Sequence, residues 1–212
     1  MTNEETLHQG INRMRIQRTQ VLSVISGLSQ EQLDFKPSAE VWSVGEIAHH
    51  IGLVEQGLMG IAKDVLQRAG SGASASKAVG YDDLPITPTM LPKSVFRLAP
   101  ILKPFAFAMR FMPAPLHEFI MSNPVVKVKT APNLEPKAGM ERNDIIVFLN
   151  QVREEMLRWL DSVKERDLSR YRWEHHLLGH HDVYGTLDVL ADHEHRHLQQ
   201  IEGVKKNPKF PL

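Results

Sequence analysis

Four stretches of this chain repeat apolar residues three and four positions apart, and this spacing limits the fold more than any other feature. The stretches begin at Leu7, Ile47, Ile145 and Leu187. Residues spaced in this way lie on one face of an α-helix. Four amphipathic helices bury their apolar faces by packing against one another, so the sequence predicts an all-α fold, a four-helix bundle.

Two of the predicted helices have a recognisable start. Thr2 and Glu5 before the first helix, and Ser43 and Glu46 before the second, stand at the spacing of a capping box. In this motif the hydroxyl accepts from the backbone of the third helical residue, whose side chain accepts from the cap residue in return. Trp42, directly before the second cap, is expected to pack onto the helix that follows.

The other two helix starts carry weaker signals. Asn143 or Asp144 is the expected cap of the third helix, because both side chains can accept a backbone hydrogen bond. The fourth helix is predicted from Thr186 to about Lys205. The second helix is expected to end at Gly70, where a glycine- and serine-rich stretch begins.

Residues from about 70 to 140 interrupt the helical pattern and hold ten of the thirteen prolines. We predict one domain, residues 1–212, that carries this segment as a Pro-rich insertion in a long crossover between helices two and three. The start of the insertion, GSGASASKAVG, reads as a flexible linker. Its middle, VFRLAPILKPFAFAMRFMPAP, predicts short helices broken by proline that cover an end of the bundle. A crossover of this length permits the second and third helices to run parallel.

The composition excludes several classes of function. Lys plus Arg and Asp plus Glu both number 25, so no net charge attracts nucleic acid or an anionic membrane. Cysteine is absent, so His, Asp or Glu must hold any metal. The N-terminus is acidic and no run is apolar for the ~18 residues that a membrane span needs. We expect a cytoplasmic protein without stable membrane insertion and with a small-molecule partner.

Three histidines fall on faces from which they could meet. His50 flanks the interior of the second helix, whereas His49 is predicted to face solvent. His193 and His197 share one flank of the fourth helix, one turn apart. Two imidazoles at this spacing and a third from a facing helix can hold one ion and leave a coordination position open. Spacing alone leaves the alternative of ordinary polar histidines.

Three further side chains are candidates for supporting these histidines. Glu194 points near the middle of the apolar face, where a carboxylate needs a partner, so we expect it to support the ligands or fix the helix. Gln200 lies about one turn beyond His197 and is a weaker candidate for the same role. Glu46 is explained by helix capping, and a role beside the ion is the alternative.

Other polar residues near the fourth helix are assigned to its surroundings. The stretch WEHHLLGHHD, which ends at Asp182, is predicted to be a loop that forms the rim of the site rather than a second metal centre. On the fourth helix, His195 is expected on the side opposite the other two histidines, and Arg196 is expected to point away from the core.

The pairing of WSVGEIAHHI with YGTLDVLADHEHRHLQQI resembles the DinB-like superfamily, also described as the YfiT type of metal-dependent hydrolase. The resemblance covers roughly residues 5–68 and 140–205. It implies a bundle with a long crossover, and a zinc, nickel or iron site whose ligands fall on His50, His193 and His197, with the family's glutamine on Gln200. Some members handle low-molecular-weight thiols. The resemblance therefore implies an enzyme that activates water or such a thiol cosubstrate, of the hydrolase or S-transferase type.

Two other interpretations stay open. The bundle could be a non-catalytic module that binds a metal or ligand and forms a homodimer through its insertion. Residues 93–112 combine basic with aromatic and aliphatic side chains and could contact a membrane surface. Pro100 and Pro104 interrupt any long amphipathic helix there, which favours a lid or an interface.

Overall fold

The computed structural model describes residues 2–79, 134–175 and 179–212, and the backbone of residues 87–88 and 128–129. The described part of the chain is mainly helical and confirms the all-α fold. The helices are α1 (Asn3–Ser26), α2 (Gln30–Asp34), α3 (Val44–Gly70), α4 (Arg142–Val163) and α5 (Val183–Lys205). The predicted helices one to four correspond to α1, α3, α4 and α5, and the short α2 was not predicted. None of these helices is both long enough and apolar enough to cross a membrane.

The first two predicted helix starts are confirmed. Thr2 caps α1 and accepts from the backbone N–H of Glu5 at 3.2 Å, and the Glu5 carboxylate accepts from the backbone of Thr2. Ser43 caps α3 and accepts from the N–H of Glu46, whose carboxylate accepts from the N–H of Ser43 at 2.7 Å. Local sequence therefore determines where these helices begin.

The predicted cap of the third helix is wrong. Glu141 is the N-cap of α4 without a side-chain hydrogen bond, and Asn143 and Asp144 lie inside the first turn. A tertiary contact takes the place of the cap, because the backbone N–H of Arg142 donates to the side chain of Gln30 at 3.1 Å. A contact with a residue so distant in sequence leaves no local signal.

The fourth helix begins three residues earlier than predicted. Its N-cap is Asp182, whose carboxylate accepts from the N–H of Gly185 at 2.8 Å. Thr186, the predicted start, lies inside the helix and donates its hydroxyl to the carbonyl of Asp182 at 2.7 Å. The same hydroxyl accepts from the indole of Trp173 at 2.8 Å, so it serves packing and not capping.

The two helices on either side of the insertion run parallel. Gly45 of α3 faces Ile145 of α4, and further along, Gly52 faces Phe148. A Cβ atom at Gly52 would lie 2.4 Å from the Phe148 ring, so the glycine permits this close approach. α1 packs mainly on α5, and α3 lies between α4 and α5. The long crossover therefore returns the chain to the end where α3 began.

A small sheet lies beside the bundle, and it corrects two predictions. The strands β1 (Ser76–Val79) and β4 (Arg172–His175) pair in parallel, and β4 pairs antiparallel with β5 (Gly179–Asp182). The expected linker is thus partly a strand, and most of the expected histidine-rich loop forms two paired strands. Burial explains why these stretches form strands, because Val79 and Trp173 are inserted in the core while their neighbours supply the backbone pairing.

A second pair of strands lies inside the insertion. Thr87–Pro88, β2, pairs antiparallel with Val128–Lys129, β3. The short helices predicted for VFRLAPILKPFAFAMRFMPAP, and the lid, interface or membrane contact proposed for residues 93–112, lie outside the described residues.

The core of the bundle has two apolar clusters with charged residues between them. The sheet-end cluster includes Met14, Leu58, Leu160, Trp173 and Leu187. The far-end cluster includes Val21, Ile47, Leu149 and Ile201. Between them, one residue from each long helix forms what we call the polar layer, consisting of Arg18, Glu55, Arg153 and Glu194.

Candidate metal centre

Three imidazoles from two helices meet next to the polar layer. His50 lies in the second turn of α3, and His193 and His197 lie one turn apart on α5. Each offers a ring nitrogen, and these atoms all lie within 4.8 Å of one another. The Nε2 atoms of His193 and His197 are 3.0 Å apart. In the part of the chain that the structure describes, which includes strands β4 and β5 but not residues 176–178, no second group of potential ligands gathers in this way.

Carbonyl oxygens determine the tautomers of two of the rings. His50 Nδ1 lies 2.9 Å from the backbone carbonyl of Leu134, and His197 Nδ1 lies 2.8 Å from the side-chain oxygen of Gln200. Carbonyl oxygens only accept hydrogen bonds, so both Nδ1 atoms donate a proton. A neutral imidazole that is protonated at Nδ1 keeps its lone pair on Nε2. Both Nε2 atoms can therefore act as ligands.

Burial keeps the three rings uncharged. It lowers the pKa of His50 to about 4, although the hydrogen bond to Leu134 opposes the shift, and the charge of Arg196 lowers the pKa further. Burial also holds the pKa of His193 and of His197 well below the usual value, and the Arg196 charge adds to the effect. Neutral histidine is the form that binds a metal.

The surroundings of Arg196 differ from those predicted. This side chain was expected to point away from the core, yet it is half-buried, and its charge lowers the pKa of all three imidazoles. Burial lowers the pKa of Arg196 itself. Arg196 therefore places a guanidinium group near the cluster.

The donor set fits a divalent transition metal. With its lone pair on Nε2, His197 accepts a hydrogen bond from Nε2–H of His193 at 3.0 Å. A cation bound by both rings would take the place of that proton. Imidazole nitrogen suits zinc, nickel and iron, and structural or catalytic zinc sites use it widely. The cluster is thus compatible with metal binding.

Trp42 packs against the cluster, and a neighbouring histidine, His49, is buried beside it. Trp42 lies on the His50 ring, with ring centres 4.8 Å apart. His49, predicted to face solvent, is buried instead. Its Nδ1 accepts from the N–H of Lys137 at 2.9 Å, and its ring contacts Phe148. The chain that returns from the insertion covers this face of α3, which explains the error.

The three predicted supporting residues have different surroundings. Gln200 contacts His197 directly. Glu194 is buried, and its Oε1 accepts from the guanidinium groups of Arg18 and Arg153, so these hydrogen bonds connect it to the polar layer. Its role beside the ligands stays a prediction.

Both carboxylate oxygens of Glu46 accept hydrogen bonds from groups other than the imidazoles. Oε2 accepts from the backbone of Ser43, and Oε1 accepts from Lys36 Nζ at 2.9 Å. These bonds agree with its role in helix capping. A role for Glu46 beside an ion stays a prediction.

Sequence reasoning missed two contributors to the site. One is the carbonyl of Leu134, which any residue type could supply and which therefore has no sequence signal. The other is the pair Glu55 and Arg153. Each lies about 80° from the centre of its helix's apolar face, a position at which most charged residues lie at the protein surface. A search for opposite charges at matching positions of two helices could have found this pair.

Comparisons with known proteins agree with the geometry. Residues 13–201 match the family model of the DinB superfamily. The chain is also similar to YuaE, an uncharacterized protein of Bacillus subtilis strain 168, with 25% identity over 189 residues that cover 89% of this chain and 93% of YuaE. No solved structure matches the chain at a significant level. Because the family model spans all four long helices and the three histidines, this chain belongs to the DinB superfamily.

Proposed function

We propose that this protein binds one divalent transition metal, either zinc, nickel or iron, through Nε2 of His50, His193 and His197. We further propose that it is an enzyme of the hydrolase or S-transferase type, which activates water or a low-molecular-weight thiol for attack on a small electrophilic substrate. The observation that carries the proposal is the convergence of three neutral imidazoles in a buried site.

The residues around the cluster have definable tasks in such a site. The Leu134 carbonyl and the Gln200 side chain hold two rings with their lone pairs directed inward. Trp42 covers one side of His50 and excludes water there. The Arg196 charge favours an anionic group beside the imidazoles.

An ion held by three protein ligands supplies Lewis-acid chemistry, since it has an open position and lowers the pKa of a water or thiol placed there. The preference for a thiol over water comes from the resemblance to the DinB-like family. Both substrates would reach the site as small molecules.

The first test is metal stoichiometry. Protein purified without a histidine tag is stripped with a chelator, dialysed against zinc, nickel or ferrous iron, and analysed for bound metal. We expect one ion per chain in the wild type and none in His193→Ala or His50→Ala. His195→Ala is the matched control, because His195 lies on the same helix but is exposed. Unchanged metal content in both ligand variants would contradict the site.

The second test is activity. The metal-loaded wild type and His193→Ala are compared in a panel of thiol-plus-electrophile reactions and ester hydrolyses. We expect turnover that disappears in the variant. Metal binding without any reaction above the His193→Ala level would instead favour the non-catalytic module.

A further inference from the structure

The polar layer is a closed network of buried charges. Glu194 Oε1 accepts from Nε and Nη2 of Arg18, at 3.1 and 2.5 Å, and from Nη2 of Arg153 at 2.8 Å. Glu55 accepts two bonds from Arg153, at 2.8 and 3.2 Å, and one from Arg18. The four side chains are at most 10% exposed. Each long helix is thus tied to at least two others.

Two further hydrogen bonds join the arginines of the layer to backbone carbonyls of the neighbouring helix. Arg18 Nη1 of α1 donates to the Leu149 carbonyl of α4 at 2.5 Å, and Arg153 Nη1 of α4 donates to the Met14 carbonyl of α1 at 2.9 Å. A carbonyl lies at a fixed height on its helix, so these bonds set the axial position of one helix against the other. A slip of one residue would break them.

Stability alone gives a weak reason for such a layer. Removing charges from water costs about as much as their attraction returns, and well-packed apolar replacements of buried ion pairs are often neutral or stabilising. The better-attested use of buried polar groups is to specify how helices are aligned.

The polar layer and the imidazole cluster depend on the same alignment of α3 and α5. Glu194 directly follows His193 and lies three residues before His197 on α5. On α3, Glu55 lies five residues after His50, about 7–8 Å along the axis. Through Arg18 and Arg153 the layer therefore fixes the rotation and the height of both helices that carry ligands.

We propose that the polar layer is the positioning device of the metal centre, which holds α5 against α3 so that His193 and His197 face His50. The inference rests on the proposed function, because it takes metal binding by the three histidines as given. Arg18, Glu55, Arg153 and Glu194 are positioning residues and do not touch the ion.

Cobalt(II) is the probe for the test, because its visible absorption reports ligand geometry as well as affinity. In Arg18→Lys, a single ammonium group replaces the planar guanidinium group, which makes two hydrogen bonds to Glu194. In the double variant Arg18→Met with Glu194→Leu, the layer loses one cation and one anion, and the two direct bonds between Glu55 and Arg153 stay in place. Arg13→Lys is the matched control, because Arg13 also lies on α1 and pairs with carboxylates of α5, Asp188 and Asp192, but at the surface.

We expect cobalt affinity to fall about threefold or more in Arg18→Lys and tenfold or more in the double variant, with altered visible bands, in folded protein judged by cooperative unfolding. Arg13→Lys should keep the wild-type spectrum and the wild-type affinity, because an exposed ion pair contributes little to the alignment of the helices. Wild-type affinity and spectrum in folded Arg18→Lys would overturn the positioning role, even if the double variant failed to fold. A wild type that binds no cobalt would instead refute the proposed function.

Discussion

Two groups of polar side chains lie next to each other in the bundle, and they differ in how their charge is balanced. The polar layer pairs two guanidinium groups with two carboxylates and directs further N–H donors to backbone carbonyls. The imidazole cluster consists instead of neutral rings, and the Nε2 atoms of two of them lie 3.0 Å apart.

This difference separates a structural group from a candidate binding group. Buried polar atoms normally have partners inside the protein, and every side-chain nitrogen and oxygen of the layer except Glu194 Oε2 follows that rule. The ring nitrogens of the cluster lie within 4.8 Å of one another, a spacing at which one ion could contact all three. The charged groups of the layer, in contrast, bind one another.

The largest effect is expected when the layer loses one charge. Glu55→Ala leaves two buried arginines with Glu194 as their remaining carboxylate in the layer, which should lower the free energy of unfolding by about 3–5 kcal/mol. Urea denaturation measures the change. Arg13→Ala is the control, since Arg13 pairs with Asp188 and Asp192 at the surface and should cost less than about 1 kcal/mol. Similar losses in both variants would remove the distinction between the layer and a surface pair.

The cluster, in contrast, should make the metal-free protein sensitive to acid. The pKa of His50 is about 4 in the fold and 6.5 in the unfolded chain, so between these values the unfolded state holds more protons. The contribution to stability is complete above pH 6.5 and is lost as pH falls towards 4, by a few kcal/mol in total, because one pKa unit corresponds to ~1.4 kcal/mol. Urea denaturation at several pH values, without metal, measures it. His50→Gln should reduce the slope, and an unchanged slope would show that other groups cause the loss.

A smaller effect is expected from the side chain that supports His197. Gln200→Ala removes the acceptor of the Nδ1 proton and should weaken metal binding by about tenfold to a hundredfold without loss of the ligand itself. Competition with a chromophoric chelator gives the affinity. Gln199→Ala, whose side chain contacts the exposed His195, is the matched control and should bind as the wild type does. Equal affinities in the two variants would mean that Gln200 does not orient the ring.

The smallest effect is expected at the start of α3. Ser43→Ala removes the capping hydroxyl and should cost about 1 kcal/mol of stability, with metal affinity unchanged, because the polar layer and not the cap positions His50. Ser23→Ala, at an exposed position inside α1, should leave both quantities nearly unchanged. If Ser43→Ala lowered metal affinity while the free energy of unfolding fell by no more than about 1 kcal/mol, the start of α3 and not the polar layer would position His50.

The features that the sequence predicted depend on local patterns. The four helices follow from apolar spacing, and the capping boxes at Thr2 and Ser43 place two starts correctly. The angular positions of His50, His193 and His197 were enough to identify three histidines that lie together in the fold. Helical periodicity carries this information within a few turns.

The features that the sequence did not predict depend on contacts between distant parts of the chain. β1 has no strand pattern of its own and pairs with β4, which lies far along the sequence. His49 is buried because the segment around Lys137 covers it. Arg18 and Glu194 stand out on apolar faces, yet only the packed bundle shows that Glu55 and Arg153 complete their network.

The proposed metal centre requires His50, His193 and His197 to bind one ion together. X-ray absorption spectroscopy of the zinc-loaded protein, at one zinc per chain, measures the ligands of that ion. We expect scattering from three imidazole rings with zinc–nitrogen distances of about 2.0–2.1 Å, and loss of one ring in His50→Ala. Zinc bound with fewer than two imidazoles, or an unchanged spectrum in His50→Ala, would contradict it.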